Sequence, residues 1–170
     1  AVRIPVTVKM RAGWDAGNLN APDVAKRVEA AGAAAVAVHG RSAAQSYAGL
    51  SDWGLIARVA EGLAIPVFGS GDCVEARQIV DRLADSRVAG VLVGRGVLRN
   101  PWILAQASDL AGGRAARTVT SADRGRFLLD YMTLLLQERS GGRDGFRRTA
   151  RRFAVPEAGG DRPWAEAGQT

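Results

Sequence analysis

The stretch Val88–Pro101 reads VAGVLVGRGVLRNP, and it decides how the rest of the chain is interpreted. Its first six residues are apolar or glycine, as in a buried strand, and the chain then turns at Gly-Arg-Gly. An Asn-Pro pair follows and opens an apolar-periodic segment that predicts a helix. Gly94 and Gly96 let the backbone approach a ligand closely, and Arg95 between them is suited to an anion. The stretch therefore predicts either a phosphate-binding turn or a tight strand-to-helix connection without a ligand.

The composition is that of a globular protein. Of the 170 residues, 47% are hydrophobic and 24% are charged. No apolar run approaches the ~20 residues of a membrane span, so no membrane contact is predicted. A single cysteine, Cys73, excludes an internal disulfide and suits a reducing, cytoplasmic location. Because Ala1 is not a methionine and leads directly into a strand-like segment, we expect the chain to be part of a longer protein.

The chain is basic, with a formal net charge of +6. Most of the excess lies after residue 113, where arginines are frequent. Such a segment favours a polyanionic partner, for which a nucleic acid is the natural candidate. The alternative is that the many arginines only reflect codon usage.

Strand-like and helix-like segments alternate four times over the first 110 residues, with short connections. The apolar segments predict strands at Ile4–Met10, Ala33–Val38, Ile65–Phe68 and Val88–Val93. Helix starts are indicated at Asn20, at Asp52, and at Asp72, where Glu75 completes a pattern like a capping box. This alternation predicts βαβ units on a parallel sheet, and the nearly all-apolar strands suggest that both faces of the sheet are covered.

The pattern changes after Leu110, where a linker-like segment is followed by a longer amphipathic helix that Thr120 or Ser121 caps. That helix is predicted for Ser121–Arg139. The segment Gly145–Phe153 is basic, and a helix is one interpretation of it. No structure is assigned to Val155–Thr170. The chain is accordingly divided into residues 1–112, 113–153 and 154–170.

Polar or glycine-rich residues stand at the carboxyl end of every predicted strand. Because these ends meet at one edge of a parallel sheet, they predict a ligand site there. Lys9 is either a cofactor contact or an edge lysine that reaches solvent, and His39 is either a ligand contact or a hydrogen-bonded structural residue. Asp72 is interpreted first as a helix cap, which can also hold a ligand hydroxyl. No cluster with metal-ligand spacing accompanies His39, so no metal site is predicted.

Four blocks at these strand ends carry a resemblance to a known family. They are PVTVKMRAGWD (5–15), AVHGRS (37–42), PVFGSGD (66–72) and GVLVGRGVLRNPWIL (90–104). Together they resemble the bacterial tRNA-dihydrouridine synthases, FMN-dependent enzymes on a TIM barrel. The resemblance implies an α/β fold, namely the second half of a TIM (β/α)8 barrel in four βα units, followed by the start of an α-helical domain that helps to hold tRNA.

The resemblance also implies roles for individual positions. Ser70 stands where the family usually has asparagine, which reduces one amide to a hydroxyl. Arg41 is expected to face the RNA. The expected FMN contacts are Lys9, His39, Ser70, Gly71 and Asp72, with Gly94 and Arg95 on the phosphate.

The family's reaction needs more than this chain carries. The resemblance implies NADPH as the electron donor and tRNA as the substrate, whose uridine is flipped out and reduced. The first half of the barrel, with the catalytic cysteine, is expected to lie outside this chain, and Cys73 is interpreted as a small buried residue. The chain alone is therefore expected to be inactive. Two alternatives remain open: another phosphate- or FMN-binding TIM-barrel oxidoreductase, and a non-catalytic flavin- or RNA-binding fragment.

Overall fold

The structure is a computed structural model that describes residues 2–139. The chain divides into two compact units, Ala1–Thr118 and Val119–Thr170. Within the described range, the first unit is a four-stranded sheet with five helices, and the second is represented by one helix. The segments predicted for Gly145–Phe153 and Val155–Thr170 lie outside the described residues.

The sheet is parallel, and its strands lie side by side in the order in which they occur along the chain. Each begins two or three residues later than the hydrophobic pattern predicts, because apolar residues also precede the first ladder hydrogen bond. The strands are β1 (Thr7–Arg11), β2 (Ala35–His39), β3 (Val67–Ser70) and β4 (Gly90–Leu92).

Helices follow each strand, as the alternation predicts. One short helix, immediately after β4, was not predicted: the chain enters it directly from the Gly-Arg-Gly turn, and the helix expected at Asn100 begins only at Ile103. The helices are α1 (Ala21–Ala30), α2 (Trp53–Glu61), α3 (Ala76–Asp85), α4 (Arg95–Arg99), α5 (Ile103–Ala111) and α6 (Ser121–Arg139).

Two helix starts show what local sequence does and does not determine. Asp52 caps α2 as predicted, since its Oδ1 accepts a hydrogen bond from the Leu55 N–H at 2.8 Å. The capping pattern predicted for Asp72 is wrong. The N-cap of α3 is Glu75, whose backbone N–H donates to Gln78 Oε1 at 3.0 Å. The carboxylate of Asp72 is therefore available for other partners.

The helices cover one face of the sheet. Val36, Val38 and Val67 alternate onto that face and are at most 3% exposed. At Gly69 on the same face, an added Cβ would lie 2.4 Å from the Trp53 ring of α2, so only glycine fits between strand and helix. Within residues 2–118 no helix of the first unit covers the opposite face, where Lys9 and Leu92 are exposed. For this unit, the expectation of two covered faces is wrong.

The end of the first unit is fixed by a buried carboxylate on α5. Asp109 accepts two hydrogen bonds from the Arg117 guanidinium, at 2.7 and 3.0 Å, and one from Arg114 at 3.1 Å. Hydrogen bonds from these arginines hold the pKa of Asp109 well below its usual range. The segment predicted as a linker is thus tied to α5, and the division between units falls after Thr118.

The second unit begins with α6, whose bounds agree with the prediction. Thr120 caps it: the Asp123 N–H donates to Thr120 Oγ1 at 3.2 Å, and the Thr120 N–H donates back to the carboxylate of Asp123 at 2.9 Å. Its predicted apolar side includes Leu128 and Leu134, each 59% exposed. Across residues 2–139, no helix is both long enough and apolar enough to cross a membrane.

Candidate functional site

The carboxyl ends of the four strands surround one cleft of about 690 Å³. This volume lies within the range typical of small-molecule and cofactor sites. All the site residues predicted from the sequence line it, although they come from four separate βα connections. They are Lys9, His39, Arg41, Ser70, Gly71, Asp72, Gly94 and Arg95.

Strand register explains why these side chains converge. Arg11, His39 and Ser70 are paired neighbours across the sheet, so their side chains stand on the same face. Lys9 lies two residues before Arg11 and therefore points to that face as well. This is the face that no helix of the first unit covers. The cleft thus occupies the uncovered side of the sheet at its carboxyl edge.

The connection after β3 lines the cleft, and its backbone is strained at two successive residues. Gly71 has φ +130°, and an added Cβ there would lie 2.2 Å from the Ser51 hydroxyl, so the position requires glycine. Asp72 follows in the left-handed region with φ +53°. The Trp53 indole N–H donates to the Gly71 carbonyl at 3.0 Å and holds the turn from beneath.

Asp72 and Arg41 form an ion pair at 2.7 Å that joins the turn after β3 to the loop after β2. The Ser51 N–H also donates to the Asp72 carboxylate, at 2.6 Å. Burial raises the pKa of Asp72, but the hydrogen bonds from Ser51 and Arg41 outweigh it, and the pKa lies below its usual value. The carboxylate is therefore charged at neutral pH and fixes both loops.

Arg41 was predicted to face RNA, and the structure places its side chain in the interior at 4% exposure. Its guanidinium donates to two loop carbonyls, those of Ala48 and Gly49, at 3.0 and 2.6 Å. Its Nη1 is buried without a hydrogen-bond partner among the described residues. The observed contacts position the loop after β2, and contact between Arg41 and RNA stays a prediction.

His39 is a neutral imidazole in this setting. Burial, followed by the charges of Arg11, Lys9 and Arg41, lowers the pKa of His39, against a smaller opposing effect of Asp72. The Arg41 backbone N–H donates to His39 Nδ1 at 3.4 Å, so the ring proton is assigned to Nε2. His39 can therefore donate one hydrogen bond from Nε2.

The two glycines of the Gly-Arg-Gly turn have different roles. A Cβ added at Gly94 would meet no atom within 4 Å, so the backbone there faces open space. A Cβ added at Gly96 would lie 2.1 Å from the Cys73 carbonyl oxygen. Gly96 is thus required for packing, while Gly94 leaves open space for a ligand. Both glycines line the cleft, and a ligand contact of Gly96 stays a prediction.

Cys73 is 5% exposed, and burial raises the pKa of its thiol. It is therefore a protonated, inert thiol at neutral pH, as its interpretation as a small buried residue predicts. No group of three or more His, Cys, Asp or Glu residues in the described part of the chain is placed to hold a metal ion.

Arg11, Tyr47 and Arg99 also line the cleft with polar side chains, and none of them was predicted as a site residue. The position of Arg11 at the end of β1 was a usable signal, whereas the loop around Tyr47 carries no motif. With these included, five lysine or arginine side chains line the cleft against one carboxylate, that of Asp72. The donor set and the charge both suit an anionic ligand.

The sequence of this chain matches one protein family over residues 1–158, that of dihydrouridine synthase (Dus). The chain belongs to the dihydrouridine synthase family. In this family member the four sequence blocks quoted above contain the strand ends that converge on the cleft.

Similar proteins come from several bacteria. A "Probable tRNA-dihydrouridine synthase" of Rhodobacter capsulatus is 45% identical over 115 residues, which is 68% of this chain and 36% of that protein. Another from Rhizobium leguminosarum is 41% identical, covering 77% and 42%. The "tRNA-dihydrouridine synthase B" of Pseudomonas syringae is 37% identical, covering 79% and 40%. The chain thus spans well under half the length of these curated relatives.

Proposed function

We propose that this chain is the carboxyl-terminal half of an FMN-binding TIM barrel, followed by the start of a helical domain, in a tRNA-dihydrouridine synthase. Its strands follow one another in sequence order and its helices pack on one face. A doubly wound sheet would reverse its strand order and carry helices on both faces. A barrel, by contrast, repeats one βα unit in one direction and takes ~250 residues to close. The remaining strands, and the rest of the enzyme's activity, belong to the segment outside this chain.

FMN is the cofactor that the cleft fits best. Its phosphate is an anion, and the cleft presents cations together with open space at Gly94. Gly94 and Arg95 hold the phosphate, since parallel barrels bind phosphate at their last strands. The flavin and its side arm contact Lys9, His39, Ser70, Gly71 and Asp72. This convergence on one cationic cleft is the observation that carries the proposal.

The chain's own residues bind and orient the cofactor. Bound FMN supplies hydride for reduction of the uracil ring, with NADPH as the electron donor. Lys9 places a positive charge on the face of the sheet that lines the cleft. Neutral His39 donates a hydrogen bond from Nε2 to the cofactor. The general acid, a cysteine in this family, lies in the other half of the barrel, and Cys73 does not substitute for it. The substrate is tRNA, in the cytoplasm, and the helical domain helps to hold it.

Removal of the Arg95 guanidinium is expected to weaken FMN binding about tenfold or more, because a charge-assisted hydrogen bond to the phosphate is lost. Riboflavin, which lacks the phosphate, is expected to bind the Arg95→Ala protein and the wild type equally. Quenching of flavin fluorescence by the full-length protein measures both affinities. Arg27→Ala is the matched control, since it removes a guanidinium from α1 that does not line the cleft.

The activity itself is tested with unmodified tRNA transcript, NADPH and the full-length protein. Dihydrouridine is expected in the product by mass spectrometry, and none is expected from the 170-residue chain alone. Flavin binding without tRNA reduction by the full-length protein would instead identify another TIM-barrel oxidoreductase. Reduction by the isolated chain would contradict the proposed place of the general acid.

A further inference from the structure

We propose that Tyr47 is a positioning residue that holds the Arg95 guanidinium across the mouth of the cleft, ready for a phosphate ester. The guanidinium carbon of Arg95 lies 4.4 Å from the centroid of the Tyr47 ring. Both residues line the cleft, yet they come from the loop after β2 and from α4. This inference rests on the proposed FMN site and adds to it a residue with no assigned role.

The stack leaves the hydrogen-bonding edge of Arg95 available. A guanidinium that lies over an aromatic ring uses its flat face for the contact, and its five N–H donors remain in its own plane. No hydrogen bond or ion pair of the Arg95 side chain to another described residue accompanies the stack. Tyr47 therefore restrains the cation without consuming the donors that a phosphate needs.

The loop that carries Tyr47 is itself held in place. Arg11, at the end of β1, and Arg41, just after β2, donate to backbone carbonyls on both sides of Tyr47. Ser46, immediately before Tyr47, adopts the left-handed conformation with φ +50°. The acceptors are the carbonyl oxygens of Ser42, Ser46, Ala48 and Gly49.

A fixed Tyr47 lowers the cost of ordering Arg95 when a ligand binds. An exposed arginine samples many rotamers, and binding must restrict it to one. Arg99, on the same short helix, adds like charge to the cleft and offers Arg95 no attractive partner. Among the described residues, the aromatic face of Tyr47 favours a single placement of Arg95. Its loss should therefore affect the phosphate end of the ligand and spare the flavin ring.

The test measures the affinity of the full-length protein for FMN and for riboflavin. Tyr47→Ala is expected to raise the Kd for FMN about two- to fivefold and leave that for riboflavin unchanged. Tyr47→Phe keeps the ring and is expected to restore the FMN affinity. Trp14→Ala is the matched control: Trp14 is a 72% exposed aromatic residue of the neighbouring loop and does not line the cleft.

A second readout needs no flavin. The Nε–H proton of Arg95 should show an upfield ring-current shift in its NMR spectrum that Tyr47→Ala abolishes and Tyr47→Phe retains. A wild-type spectrum without that shift, or an equal loss of FMN and riboflavin binding in Tyr47→Ala, overturns the role of Tyr47. Wild-type protein that shows the shift but does not prefer FMN to riboflavin overturns the proposed cofactor site, and the phosphate role of Tyr47 with it.

Discussion

Replacing Asp72 with alanine is expected to lower the free energy of unfolding by about 3 kcal/mol. The substitution leaves the Arg41 guanidinium, which is 4% exposed, without its counter-ion, and it leaves the Ser51 N–H without its acceptor. An uncompensated buried charge costs far more than an exposed pair contributes. Urea denaturation of the full-length protein measures the change. It is monitored by the fluorescence of Trp53, which contacts the turn after β3.

Two further variants separate charge from geometry in this prediction. Asp72→Asn keeps an oxygen acceptor and tolerates the φ of +53°, so it is expected to cost about half as much as alanine. Asp81→Ala breaks the exposed pair with Arg77, in which both side chains are more than half exposed, and should change stability by less than about 0.5 kcal/mol. Equal effects of Asp72→Ala and Asp81→Ala would show that the buried ion pair contributes no more to the free energy of unfolding than the exposed pair.

The pH dependence of the same pair has a definite sign. The hydrogen bonds from Ser51 and Arg41 outweigh burial, so the folded-state pKa of Asp72 lies below its ordinary 3.8. A depressed carboxyl pKa stabilises the fold above the unfolded-state value, and that contribution is lost as the pH falls through the folded-state pKa. The stability difference between wild type and Asp72→Asn should therefore be constant near neutral pH and shrink below about pH 4.

Gly96→Ala is expected to destabilise the protein by about 2–3 kcal/mol, although alanine is the better helix former. The added Cβ would lie 2.1 Å from the Cys73 carbonyl oxygen, and backbone cannot rotate away as a side chain can. Helix α4 must then move off the turn after β3, which displaces Arg95. The same variant is accordingly expected to bind FMN more weakly, measured by fluorescence quenching beside the denaturation curve.

Gly125→Ala is the matched control for this substitution, since it also adds a methyl group to a helical glycine. Its Cβ would meet no atom within 4 Å, so the only effect is the gain in helix propensity, up to about 1 kcal/mol. A Gly96→Ala protein that is as stable as wild type would mean that α4 is not packed on the Cys73 carbonyl.

Local sequence signals determined much of the fold. The βα alternation, the Asp52 cap and the bounds of α6 follow from periodicity and capping residues within one element. The convergence of the strand ends on one edge follows from parallel topology. These features depend on residues that are neighbours in sequence, so they can be predicted from the sequence.

What could not be predicted depends on residues far apart in the chain. Gly94 and Gly96 look alike in sequence, and only the position of the Cys73 carbonyl separates them. Asp72 has a glutamate three residues later, as a helix cap often has. Its own backbone is left-handed, however, and the helix starts only after Glu75. The stack of Tyr47 on Arg95 joins the loop after β2 to helix α4, and the two segments share no motif.

The sequential strand order also bears on how the protein is made. Because each strand pairs with the one before it, a nascent chain leaving the ribosome always finds its neighbour already synthesised. The Gly-Arg-Gly turn comes from β4 and α4, the last of the four units to emerge. Lys9 and His39 are thus synthesised before Arg95, and the cleft is completed only when the fourth unit has left the ribosome.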